Sequence, residues 1–192
     1  AKYKYGSDNL EGKKVLVQGI GHVGEVLVQH LTESGALVTI TDINEDRVNQ
    51  VGAKHGAKIF TGADLYSADV DIYAPCALGA TINDATINNF KASIIAGAAN
   101  NQLANEAVHG KILKEKGILY APDFLINAGG VINVYSELVK WTNAQVMEKT
   151  ENIYNTALEI FKFADDNNIT THQAAFSMAQ KRIDDAKNEL KK

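Results

Sequence analysis

At 192 residues, 45% apolar and 22% charged, the chain has enough material for one ordinary globular core with an appended helical tail. A formal charge of −4 argues against a nucleic-acid-binding surface, and no stretch reaches the roughly 18 apolar residues that a membrane-spanning helix requires. One cysteine, Cys76, excludes an internal disulfide and suits a reducing, cytoplasmic setting, and the polar start AKYKYGSDNLEGKK lacks the apolar centre of a secretion signal.

Strand-like and helical patterns alternate along the first two thirds. Lys13 to Gln18 reads as a strand and His22 to Ser34 as a helix. Leu37 to Thr41 is a second strand, and a polar helix follows from about Asn44 to Lys54. Short strands are expected at Lys58 to Phe60, Val70 to Ala74, Ser93 to Ala96 and Ile118 to Tyr120, with helices over 83–89 and 105–116. The strand runs are rich in Val and Ile without strict alternation, as strands buried on both faces should be. This order predicts a mostly parallel sheet with helices on both faces. After Pro122 the pattern turns helical, over 127–140, from Ala144 to about Asp166 and from about Thr171 to Leu190, with a break at Asn167-Asn168. In the last helix Ala175, Met178, Ala179, Ile183, Ala186 and Leu190 share one side. The expected division is a sheet domain over 1–143 and a helical tail over 144–192.

Between the first strand and helix stands Gly19-Ile20-Gly21-His22-Val23-Gly24, a G-x-G-x-x-G turn. Glycines mark many turns, so the motif gains weight from context: a strand before it, a helix after it, and Asp42 at the end of the next strand. Gly19 permits the tight turn, Gly21 lets a pyrophosphate approach the backbone, and Gly24 lets the helix lie close on the sheet. The helix N-terminus offers unpaired N–H groups to phosphate. Asp42 suits the ribose hydroxyls of NAD and would repel the 2′-phosphate of NADP, and the nearest arginine, Arg47, should lie on the following helix. The fold class is therefore α/β, doubly wound and Rossmann-type, with C-terminal helices. The plainer alternative is an empty strand–turn–helix with Asp42 as a helix cap.

Three more segments end strands and are rich in small residues: Ala74 to Gly79, Ala96 to Gln102, and Ala121 to Val131. In an open parallel sheet the ligand crevice lies outside these ends. Asn100 and Asn127 can hydrogen-bond a carboxamide or a ribose, or can simply cap the helices that follow them. Cys76 reads as a small packed residue, with no base evident to activate it. His22 can line the pocket mouth, while His30, His55, His109 and His172 read as surface or satisfied helix residues. No spacing of His, Cys or carboxylates suggests a metal site.

Taken together, GIGHVG with TDIN, APCALG, GAANNQL and APDFLINAGGVINV, in this order and spacing, resemble the cofactor domain of the Glu/Leu/Phe/Val dehydrogenase family, with its leucine dehydrogenase branch the best match. The resemblance covers essentially the whole chain. It implies NAD as cofactor and, for the parent enzyme, reversible oxidative deamination of a branched-chain L-amino acid to a 2-oxo acid and ammonia. It puts Gly19, Gly21, Gly24 and Asp42 at the ADP half of NAD, with His22, Val23 and Ile43 beside them. Cys76, Ala77, Ala99, Asn100 and Asn127 match positions near the nicotinamide half. Val131 and Val134 match the substrate side-chain pocket, although from the residues alone both read as helix core. Gly24 stands where leucine dehydrogenases often carry Ala, and as both are small the exchange is expected to be harmless.

The family pattern also includes a preceding substrate domain that supplies a catalytic lysine on a glycine-rich segment and a catalytic aspartate. No such segment stands in this sequence, so no catalytic residue is assigned. The expectation is an isolated cofactor domain, excised or engineered, that binds NAD(H), lacks turnover and has the absent substrate domain as its partner. The alternative is a non-catalytic assembly or structural module that self-associates through its tail helices. A complete small enzyme working through Cys76 or His22 would need a nucleophile–base pair, and none is visible.

Overall fold

A computed structural model describes residues 1–189. Strands β1 (Lys14–Gln18), β2 (Leu37–Thr41), β3 (Lys58–Ile59), β4 (Ile72–Pro75), β5 (Ile94–Ile95) and β6 (Leu119–Tyr120) form one parallel sheet in the order β3-β2-β1-β4-β5-β6. A short helix α1 (Lys2–Tyr5) precedes it, and α2 (His22–Glu33), α3 (Glu45–His55) and α4 (Glu106–Glu115) are crossover helices. The order reverses between β1 and β4, the topological switch point of a doubly wound sheet. This is the expected Rossmann-type α/β fold.

Successive residues of β1 point to opposite faces, and each face has its own core. Val15 and Val17 join Val38, Ile40 and Ile72 beneath Val28 and Leu31 of α2 and Val48 and Val51 of α3. Leu16 joins Tyr73, Ile95, Phe90, Ile87 and Leu113 of α4 on the other face. Burial of both faces explains the unbroken apolar run Val15 to Val17 of β1.

Residues 1–127 form one compact unit and the described residues from 128 onward a second. The division falls ahead of the 143/144 boundary expected from sequence, because helix α6 (Gly129–Val139) packs on α7 (Asn143–Glu151). A short helix, α5 (Asp123–Ile126), closes the first unit.

Three expectations need correction. Residues 83–89 form turns and not a helix, since side chains take over backbone partners: Asn83 accepts from the Ala85 N–H at 3.0 Å and the Thr86 hydroxyl donates to the Thr81 carbonyl at 2.6 Å. The single helix expected over 144–166 is two, α7 and α8 (Ile153–Asp166), parted at Asn152, and α7 begins on a Thr142–Gln145 capping box. In α9 (Thr171–Glu189) Ala175 is buried, but Ala179, Ile183 and Ala186 of the expected apolar side are exposed. The expected helix end at Leu190 lies outside the described residues. Among the described residues no helix is long and apolar enough to cross a membrane.

Candidate functional site

The loops that leave β1, β2, β4 and β5 are tied together at the carboxyl edge of the sheet. Gly19 N–H donates to Thr41 O at 2.8 Å, Cys76 N–H to Gln18 O at 2.7 Å and Ala99 N–H to Pro75 O at 2.9 Å. The sheet's hydrogen bonding thus brings together the turn, the Asp42 loop and the two small-residue segments. All twelve predicted cofactor residues, Gly19 to Asn127, fall in the first compact unit.

The chain itself requires two of the three motif glycines, for different reasons. Gly19 has φ +91°, and a Cβ there would lie 2.6 Å from the Ala77 Cβ. A Cβ on Gly24 would fall 2.0 Å from the Gly19 carbonyl oxygen. In this backbone a methyl group at 24 would collide with a backbone carbonyl of the turn, so glycine is the residue that fits. Gly21 is the opposite case. It has φ −61°, and a Cβ would meet nothing within 4 Å. Neither backbone conformation nor packing inside the chain calls for glycine there.

Gly21 is also the N-cap of α2, with no side-chain cap, and the Glu25 N–H is bonded back to Gly21 O at 2.9 Å. The first-turn N–H groups of His22, Val23 and Gly24 precede that bond and point out of the helix end. His22 and Val23 are exposed and Gly24 is buried. Asp42 is no helix cap: Asn44 caps α3, accepting from the Arg47 N–H at 3.0 Å. Instead the Asp42 carboxylate accepts from Ile20 N–H at 2.9 Å and Asn44 N–H at 3.0 Å, one bond on each oxygen. These bonds fix its orientation and leave each oxygen free to accept again. The next residue, Ile43, is fully exposed.

Asn127 Nδ2 donates to Asn100 Oδ1 at 2.5 Å and to Ala98 O at 3.4 Å, so these amides, far apart in sequence, are brought together. Neither side chain caps a helix: Asn105 caps α4, and the N-cap of α6 is Ala128, with no side-chain cap. Behind them, fully buried Gln102 donates to Gly97 O at 2.6 Å and Ala99 O at 2.9 Å, and its N–H donates to buried Asp123 at 3.2 Å. These bonds hold the Gly97–Asn100 turn in shape. Ala99 is buried and Ala77 exposed. Burial pushes the Cys76 thiol above its ordinary pKa, only partly offset by the Ala98 N–H near its sulfur, which disfavours the thiolate a nucleophile needs.

Val131 and Val134 lie on α6 in the second compact unit, one turn apart on one face and 73% and 65% exposed. They are not buried helix core. Of the histidines, His55 meets Glu25 and His109 is buried between the Asn105 N–H (2.9 Å) and Asp84 (3.1 Å). Among the described residues no group of three or more His, Cys or carboxylates could hold a metal.

Sequence reasoning passed over Glu25, although a carboxylate in the first turn after a glycine-rich loop was a visible oddity. Its side chain gathers Arg47, Lys54 at 2.8 Å and His55 at 3.4 Å. Hydrogen bonds from Lys54 and His55, with the Arg47 charge, hold its carboxyl down to about 2. The buried Gln102–Asp123 contact had no sequence signal, since it joins residues from separate loops.

A family model described as Glutamate/Leucine/Phenylalanine/Valine dehydrogenase matches residues 37–190. The leucine dehydrogenase of Thermoactinomyces intermedius is 48% identical over 184 residues, covering 96% of this chain and 50% of that protein. The L-tryptophan dehydrogenase of Nostoc punctiforme is 44% identical over 189 residues, covering 98% of this chain and 54% of that protein. A crystal structure of L-tryptophan dehydrogenase from Nostoc punctiforme aligns with a TM-score of 0.93 at 44% identity, over 97% of this chain and 56% of that one. The chain spans about half the length of the curated relatives it matches. It belongs to the Glu/Leu/Phe/Val dehydrogenase family.

Proposed function

We propose that this chain is the NAD(H)-binding half of an amino-acid dehydrogenase. The observation that carries the reading is Gly21, a glycine with no conformational or internal packing requirement, set at the open N-terminus of a helix. What it leaves room for is a group from outside the chain, and N–H donors at a helix N-terminus select an anion such as a pyrophosphate. Asp42, held by two backbone bonds, then accepts from the adenosine ribose, and the paired Asn100 and Asn127 amides face the nicotinamide end. When bound, the nicotinamide accepts or gives the hydride. The residues of this chain hold and orient it.

NAD is favoured over NADP by charge. Asp42 and Glu45 both line a 310 Å³ cavity beside the ribose position, and the Arg47 guanidinium is engaged with Glu25 and Ile20 O. For the parent reaction we propose deamination of a branched-chain L-amino acid, with aliphatic Val131 and Val134 toward the substrate side chain. The relatives named for leucine and for tryptophan are 48% and 44% identical, so the substrate is assigned on those two valines and not on overall similarity. Catalytic lysine and aspartate are assigned to a preceding substrate domain, without which the chain alone should not oxidise L-leucine.

The test is Gly21→Leu. The side chain enters open space, so the variant should fold, with a thermal midpoint lowered by only a few degrees because Leu is a poorer N-cap than Gly. NADH affinity should fall by about tenfold or more, the scale of roughly 1.4 kcal/mol of lost phosphate contact. A folded variant that binds NADH as the parent does would sink the reading.

One observation favours the alternative reading, self-association, in which a second copy and not a substrate covers Val131 and Val134. Val131, Val134, Tyr135 and Leu138 form an i, i+3, i+4, i+7 stripe on α6 that is 73%, 65%, 50% and 78% exposed.

A further inference from the structure

The first turn of α2 carries a puzzle for a helix whose N-terminus receives phosphate. Glu25 places a carboxylate one residue beyond the last motif glycine, where it would oppose an anion. It is only 18% exposed and is compensated by two cations, Lys54 and the closer Arg47, itself 33% exposed, with the His55 ring beside them. Such an arrangement costs desolvation and side-chain order, so it calls for a role that a neutral residue would not fill.

The bonds of Arg47 indicate that role. Its Nε donates to Ile20 O at 3.1 Å and its Nη2 donates to Glu25 Oε2. The N–H of the same Ile20 donates to Asp42 at 2.9 Å. The guanidinium and the ribose-binding carboxylate therefore grip opposite polar groups of one residue. That shared residue puts the Arg47 guanidinium close to Asp42, and a planar guanidinium is well suited to bind phosphate. What keeps it turned toward α2 is Glu25.

We propose that Glu25 is a positioning residue for cofactor choice: by holding Arg47 against α2, it denies a 2′-phosphate the nearby cation and leaves that end of the site to Asp42 and Glu45. The inference rests on the dinucleotide reading above. Selectivity against NADP then has two layers, a repulsive carboxylate at Asp42 and a withheld arginine.

Calorimetric titration of the 192-residue chain and its variants with NADH and NADPH tests this. In Glu25→Ala the ratio of NADPH to NADH affinity should rise about tenfold, the scale of one charge-assisted hydrogen bond gained. The rise should vanish in Glu25→Ala/Arg47→Ala, because simple removal of a negative charge is not the cause. A folded Glu25→Ala chain with an unchanged ratio, or a rise that persists without Arg47, overturns the proposal. Arg47→Leu with Glu25 intact gives an independent test should Glu25→Ala fail to fold. The ratio should then stay within about twofold of the parent, since a withheld arginine contributes nothing to either ligand. A clear fall in NADPH affinity would show that Arg47 already reads the phosphate, which overturns the proposal. NADH binding by none of these proteins would remove the cofactor reading itself, and is distinguishable from a failure of the Glu25 proposal by that alone.

Discussion

A methyl group added at Gly24 would fall 2.0 Å from the Gly19 carbonyl oxygen, a backbone atom within the tight turn. Gly24→Ala gains helix propensity but must displace that turn, so a net loss of about 1 kcal/mol in urea unfolding is expected. An equal or higher stability would mean that the turn yields freely. Glu25 makes a prediction in pH. Its carboxyl sits at about 2, below the ordinary 4.5, through hydrogen bonds from Lys54 and His55 and the charge of Arg47. A depressed folded-state pKa stabilises the fold fully above the unfolded value, and that contribution drains away as pH falls from 4.5 toward 2. Stability of Glu25→Gln should accordingly fall less steeply than the parent's over that window, measured by urea unfolding at each pH. Parallel curves would contradict the ion-pair account. At this scale the sequence exposed the glycines and Asp42 because their spacing is local. It hid the Asn100–Asn127 pair, because the two amides meet at 2.5 Å from separate loops. It hid the Glu25 latch for the same reason, since Arg47 reaches it from the next helix.

Elements were legible where apolar runs were long or periodic. β1 is read nearly residue for residue because burial on both faces imposes the aliphatic run Val15 to Val17, and β2 because its residues are mostly β-branched, with buried Val38 and Ile40 alternating with partly exposed threonines. The 83–89 segment failed because Asn83, Thr86 and their backbone neighbours satisfy one another locally, an option that apolar spacing does not report. The α7–α8 break at Asn152 was missed since Asn is only a weak helix breaker and the apolar pattern runs across it. The exposed stripe of α6 carries a prediction of its own. Four large apolar side chains along two turns should draw copies together. Mass in solution should rise with concentration, and Leu138→Lys should lower it. A constant monomer mass at high concentration removes the assembly role.

At the scale of the whole molecule, parallel strand order and loop-to-loop hydrogen bonds place four sequence-distant segments at one edge of a sheet. The topology was legible from the alternation of strands and helices, while the grouping of α6 with the later helices was not, because it depends on tertiary packing. The central claim is that this edge holds a dinucleotide within residues 1–127. Backbone amide chemical-shift mapping during titration with NADH tests it most directly. Saturable shifts should concentrate at Ile20 to Gly24, Asp42 to Ile43, Cys76 to Ala77, Ala99 to Asn100 and Asn127. No saturable shifts, or shifts centred on the helices after residue 143, would contradict it.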